Sequence, residues 1–97
     1  MELYNPSRLK ANTIIYGCEQ FATITKNTID RDPDIKMKVV AFIDNFPKNV
    51  GKRLEGVLIH KLDSIKSLNE KFKIEKLIIA KENITVEERD KIVRNTT

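Results

Sequence analysis

The stretch NTIIYGCEQFATITKN, Asn12 to Asn27, holds the residues best placed for chemistry: Gly17, Cys18, Glu19 and Ala22 stand between a short apolar strand and the start of a helix. In that setting a dinucleotide's pyrophosphate rests on backbone N–H groups at a helix N-terminus. A cradle of the form G-x-G-x-x-G/A uses its first glycine for the tight turn and its second to let backbone approach the phosphates. Its third small residue packs helix on strand. In register these positions are Gly17, Glu19 and Ala22. The first and third suit the task. The second does not.

Glu19 puts a Cβ and a carboxylate where the pyrophosphate must come. Two unit charges about 4 Å apart repel by roughly 4 kcal/mol at an effective dielectric of about 20, which offsets much of what a helix N-terminus offers an anion. A carboxylate in a first helical turn stabilises its own helix by about 0.3–1 kcal/mol. Glu19 is therefore expected to fill part of the place a phosphate would use, leaving a degenerate turn. A nucleotide such as NAD(P), held in an altered pose, is the alternative.

Asp44 ends the second apolar run, where an acid holds ribose hydroxyls in a nucleotide-binding βαβ unit. Asp44-Asn45-Phe46-Pro47 also reads as a simple turn with the aspartate bonding its own backbone, and the residues leave both readings open. Asn45 and Lys48 share that edge, and Lys52 and Arg53 follow, either to meet phosphates or to form a solvated basic loop. Any bound nucleotide is expected on the edge built by Gly17, Cys18, Glu19, Ala22, Asp44, Asn45 and Lys48.

Other chemistry is thinly supplied. Cys18 is the sole cysteine, so no internal disulfide forms. At a helix N-terminus its thiol could be activated, but a small buried residue is the simpler reading. His60 has no second His or Cys at ligand spacing, so no metal is expected. No nucleophile–base arrangement is evident, and no catalytic residue is assigned. With 97 residues, 40% of them hydrophobic and 33% charged, the chain suits one globular domain with a modest core. The net charge of +4 is scattered, aromatics are few and Trp is absent, so nucleic acid is not an expected partner. No apolar run nears the ~18 residues of a membrane helix, and MELYNPSRLK lacks a signal peptide's apolar core, so the chain is expected to be soluble.

Four β-branched runs must position these residues: Thr13–Tyr16, Val39–Ile43, Val57–Ile59 and Leu77–Ala80. They are continuous rather than alternating, as in strands buried on both faces. A helix from Glu19 to about Ile29 follows the first, despite the poor helix formers Thr23, Ile24, Thr25 and Thr28. A second is capped by Asp63 or Ser64 and carries Leu62, Ile65, Leu68 and Phe72 at helical spacing. A third opens with the capping box Thr85–Glu88 and is expected to bury Val86, Ile92 and Val93. The segment from Asp44 to Gly56 shows no convincing helix, and Gly51 and Gly56 bracket a turn into the third strand. The order β-α-β-β-α-β-α predicts an α/β fold with a mostly parallel sheet and right-handed crossovers.

TIIYG before a helix, then KVVAFIDNFPKNVGKRLEGVLI and LDSIKSLNEKFKIEKLIIA, resembles the small Rossmann-like, CoA-binding-like domain of nucleoside-diphosphate-sugar epimerase/4,6-dehydratase proteins of capsular and other polysaccharide biosynthesis. The likeness runs from Thr13 to Ala80. Its most specific part is Phe42-Ile43-Asp44 with Pro47, Gly51 and Gly56. Similar strings occur in NAD(H)-binding redox repressors, CoA-binding domains and sugar acetyltransferases. The resemblance implies a three-layer Rossmann-like domain over residues 13–97, after an N-terminal extension of residues 1–12, with strand order 3-2-1-4. It also implies a larger parent, with membrane helices before this domain and a catalytic dehydratase domain after it, on the cytoplasmic side of the membrane. The Tyr-x-x-x-Lys of such catalytic domains is absent here. A fifth strand that covers the Leu77–Ala80 edge in related domains is missing from this sequence, so the domain is expected to be truncated on that side and able to self-associate through that edge.

Overall fold

The computed structural model describes residues 10–17 and 19–96. β1 (Ala11–Tyr16) runs through the Gly17 turn into α1 (Gln20–Arg31) and then β2 (Met37–Ile43). A loop leads to the short β3 (Arg53–Leu54) and β4 (Val57–His60). A 3-10 turn, Leu62–Ser64, merges into α2 (Ile65–Phe72), followed by β5 (Lys76–Ile79) and α3 (Val86–Thr96). The sheet order is β3-β4-β2-β1-β5, with β1 parallel to β2 and β5, and β2 parallel to β4. The four strands read from sequence are β1, β2, β4 and β5, and they lie in the expected 3-2-1-4 order.

β3 is the addition. Glu55 and Gly56 have φ of 52° and 79°, so both central residues of a two-residue turn are left-handed, the geometry that folds a tight hairpin. Arg53 thereby pairs antiparallel with Leu58, and Leu54 with Val57. Upstream, the N–H groups of Asn49 and Lys52 donate to Phe46 O and Asn49 O at 3.0 and 3.2 Å, so successive turns replace a crossover helix.

Each sheet face has its own core. Ile14, Tyr16, Ala41 and Ile43 pack with Leu62, Ile65, Leu68 and Ile92 from the α2 and α3 side. Ile15, Val39, Phe42 and Ile59 pack with Ala22 and Ile29 of α1. Val39 and Phe42 share a face despite their odd spacing because the β1–β2 register slips by one residue after Thr13. Completely burying a side chain such as Phe42 contributes about 1.5–3 kcal/mol, and β1 and β2 supply half of the buried apolar side chains among the described residues.

The helices depart from expectation in detail. In α1 the Thr25 and Thr28 hydroxyls donate to the carbonyls of Phe21 and Ile24 at 2.7 and 2.9 Å, satisfying residues that would otherwise compete with the helix. Neither Asp63 nor Ser64 caps α2 through its side chain. The 3-10 turn opens that helix instead, starting at Leu62, which is buried in the core. The capping box of α3 forms, with Glu88 N–H donating to Thr85 Oγ1 at 3.0 Å. Its expected apolar face does not: Val86 and Val93 are 72% and 51% exposed. These two lie seven residues apart on the outer face, whereas Glu88, Ile92 and Asn95 form the inward stripe.

Candidate functional site

The carboxyl ends of β1, β2 and β5 meet at Gly17. Its N–H donates to Ile43 O at 2.8 Å, and the neighbouring Ala80 N–H donates to Tyr16 O at 2.9 Å. Gly17 has φ +130°, and a Cβ on it would stand 2.5 Å from Ala80 O. The first cradle position is thus glycine by geometric need. Ala22, at the third position, is fully buried below the turn, so helix packs on strand as a small residue there allows. Cys18 lies outside the described residues.

Glu19 does not behave as a first-turn carboxylate. It is the N-cap residue of α1, its side chain makes no capping bond, and no acid stands in that first turn. Glu19 is exposed and lines a cleft of about 240 Å³ with Gly17, Asp44 and Lys81. Glu82 adds a third carboxylate to that lining. Phe21 and Phe46, each about half exposed, form its apolar rim.

Asp44 is 8% exposed. Its N–H donates to His60 O at 3.0 Å, and its Oδ2 accepts from Asn49 Nδ2 at 2.7 Å. The aspartate therefore braces the following loop through a side chain five residues on. Asn45 turns the other way, its Nδ2 donating to the Tyr16 hydroxyl at 2.8 Å. Lys48 and Lys52 are exposed, and neither lines the Gly17 cleft. Arg53 bonds Gly56 O across its own hairpin at 3.2 Å. Gly17, Glu19 and Asp44 are brought together, and the basic loop is not.

Sequence reasoning missed a polar cluster around Tyr16. The Tyr16 hydroxyl donates to Glu88 Oε2 at 2.7 Å, and Lys81 Nζ donates to the same oxygen at 2.7 Å. Lys81 also lies 5.9 Å from the Tyr16 ring centroid. Burial, then the bond and charge of Glu88 and the charge of Asp44, raise the Tyr16 phenol well above its ordinary range. Burial alone would raise the Glu88 carboxyl. Bonds from Lys81, Tyr16 and the Thr85 backbone, with the Lys81 charge, outweigh it and hold that group at about 2. The cluster joins β1 to α3 and ties down Lys81, the one cation that lines the Gly17 cleft among the described residues. The capping box marked Glu88 in the sequence, but nothing local marked its reach to Tyr16.

Burial, then the Lys71 charge, lower the His60 imidazole below its ordinary value. Among the described residues no group of three His, Cys, Asp or Glu could hold a metal ion, and no helix is long and apolar enough to cross a membrane.

These features define a Rossmann-like α/β domain with a glycine turn at the carboxyl edge of its sheet. No family model and no curated protein matches the sequence. Solved structures do match in fold. RSP, a Rex-family repressor, superposes with a TM-score of 0.73 at 18% identity, over 92% of this chain and 43% of the repressor. UDP-D-quinovosamine 4-dehydrogenase from Vibrio fischeri superposes with a TM-score of 0.73 at 20% identity, over 86% of this chain and 72% of that one. RSP in complex with β-NADH gives 0.68 at 18% identity, over 89% of this chain and 42% of that chain.

Proposed function

We propose that this chain is a non-catalytic Rossmann-like accessory module of a larger nucleotide-sugar epimerase or dehydratase of polysaccharide biosynthesis, working at the cytoplasmic face of the membrane. Its glycine turn is degenerate. One observation carries the reading: Glu19 stands at the helix N-terminus without capping it, in a cleft whose described lining holds three carboxylates and one lysine, itself paired with Glu88. Such a lining repels a pyrophosphate where a working cradle would attract it. The residues present therefore do not fit NAD(P) in its usual pose. The likeness to a UDP-sugar dehydrogenase over 72% of that chain supports the choice of parent. Catalysis would reside in the parent's other domain.

A second reading, an NAD(H)- or CoA-sensing module, is favoured by the retained Gly17 turn and Asp44, and by the fold shared with a repressor solved with β-NADH. Calorimetry separates the two. The chain is expected to show no complex with NADH tighter than about 1 mM, and Glu19→Gly to strengthen binding at least tenfold, the equivalent of about 1.4 kcal/mol. A low-micromolar complex of the unaltered chain would establish the sensor instead.

The partner surface is the outer edge of β5, which has no strand neighbour among the described residues and exposes Ile79 at 43%. Unpaired edges template pairing with another chain. Light scattering should show concentration-dependent association that Ile79→Lys abolishes. A strictly monomeric chain at millimolar concentration would count against this.

A further inference from the structure

A second cleft, of about 400 Å³, opens on the α3 side of the same carboxyl edge and shares Asp44 with the Gly17 cleft. Its charge is reversed. Lys61 enters from the end of β4, and Lys91 and Arg94 from α3. Lys91, Arg94 and Asn95 recur at spacings of three and four, so one helical face presents them together. Asn45 and Asn95 add amides, and Asp44 and Asp63 contribute the two carboxylates of the lining.

We propose that this cleft binds a small phosphorylated polyol, its phosphate held by Lys61, Lys91 and Arg94 and its hydroxyls donating to Asp44 and Asp63. The position is the one at which parallel α/β sheets take ligands, beyond the carboxyl ends of the strands. Three cations favour an anion, and phosphate suits both the lysine ammonium and the planar guanidinium. The carboxylates select the remainder of the ligand. Ionised carboxylates only accept hydrogen bonds, so they take hydroxyl groups and repel a second phosphate. Two carboxylates in the same lining disfavour a polyanion. The inference does not depend on the parent proposed above, because it uses no residue of the glycine turn.

The test is an amide-shift titration of the full chain with ribose 5-phosphate, and with ribose and inorganic phosphate separately. Shifts are expected at residues 44–45, 61–63 and 91–95, with ribose 5-phosphate binding at least tenfold more tightly than either part. Arg94 has an interaction of its own within the chain, so the variant of choice is the double change Lys61→Glu and Lys91→Glu, both at exposed positions. It should weaken binding more than tenfold with an unchanged melting temperature. If the double variant fails to fold, Lys61→Gln alone should still weaken binding severalfold. No shifts up to 10 mM, shifts confined to residues 17–22, equal affinity in the variant, or tighter binding of heparin or anionic vesicles than of ribose 5-phosphate would each overturn the proposal.

Discussion

Gly17→Ala should lower the stability of this domain by about 3–4 kcal/mol, near the top of what a single change does. The added Cβ would meet Ala80 O at 2.5 Å, and that oxygen is backbone, so no rotamer change relieves the contact. Backbone at φ +130° adds its own strain. Gly51 is the control. Its φ is +90° and nothing lies within 4 Å of a Cβ there, so Gly51→Ala should cost only the conformational part, ~1–2 kcal/mol. Urea midpoints of the two variants compare them directly. Equal losses would show that the β5 end moves aside and that the glycine serves conformation alone.

Removing the Glu88 side chain should be the next most damaging change. Glu88→Ala deletes the partner of Lys81, the acceptor of the Tyr16 hydroxyl and half of the α3 capping box. A bond to a charged group contributes about 1.5–3 kcal/mol and a cap about 1, so a loss of about 2–3 kcal/mol is expected after overlap. Tyr16→Phe should cost about 1 kcal/mol. The same carboxyl gives an acid signature. Its ordinary value of 4.5 falls to about 2 in the fold, so its stabilisation is complete above pH 4.5 and is lost as pH falls towards 2. At 1.36 kcal/mol per unit, reduced because the Lys81 side chain is 36% exposed, that loss is about 1–2 kcal/mol. Glu88→Gln should flatten the decline in this window. An unchanged acid limb would show that other carboxyls govern it.

The strands were legible because burial on both faces leaves an unbroken β-branched run, as in Thr13–Tyr16 and Val39–Ile43. β3 was not. Arg53-Leu54 carries no such run, and only the positive φ of Glu55 with Gly56 makes the chain fold back there. The outward turn of Val86 and Val93 was hidden for a related reason. The polar Glu88 and Asn95 flank Ile92 on the inward side, one of them drawn in by Tyr16 from a strand 72 residues away. Of the candidate site, spacing singled out Gly17 and Asp44, which the fold brings to one cleft. The confluence of Lys61 with Lys91 and Arg94 did not, because topology brings a strand end to a distant helix.

The sheet's centre is completed from the far end of the chain. β1 pairs with β5 from Thr13 against Lys76 to Tyr16 against Ile79, whereas β3 and β4 close across two residues. Loop closure makes such remote pairings late, so the pairing of β5 with β1 is expected to follow those of β3 with β4 and of β4 with β2. The reverse excursion follows the same seam. Among the described residues β5 has one strand neighbour, β1, whereas α3 packs on α2 and the 3-10 turn and buries Ile92 in their core, so the parting of β5 from β1 does not require α3 to leave. The β5 amides are therefore expected to trade hydrogen for deuterium well ahead of those of β2, and each such opening briefly bares the apolar edge of β1.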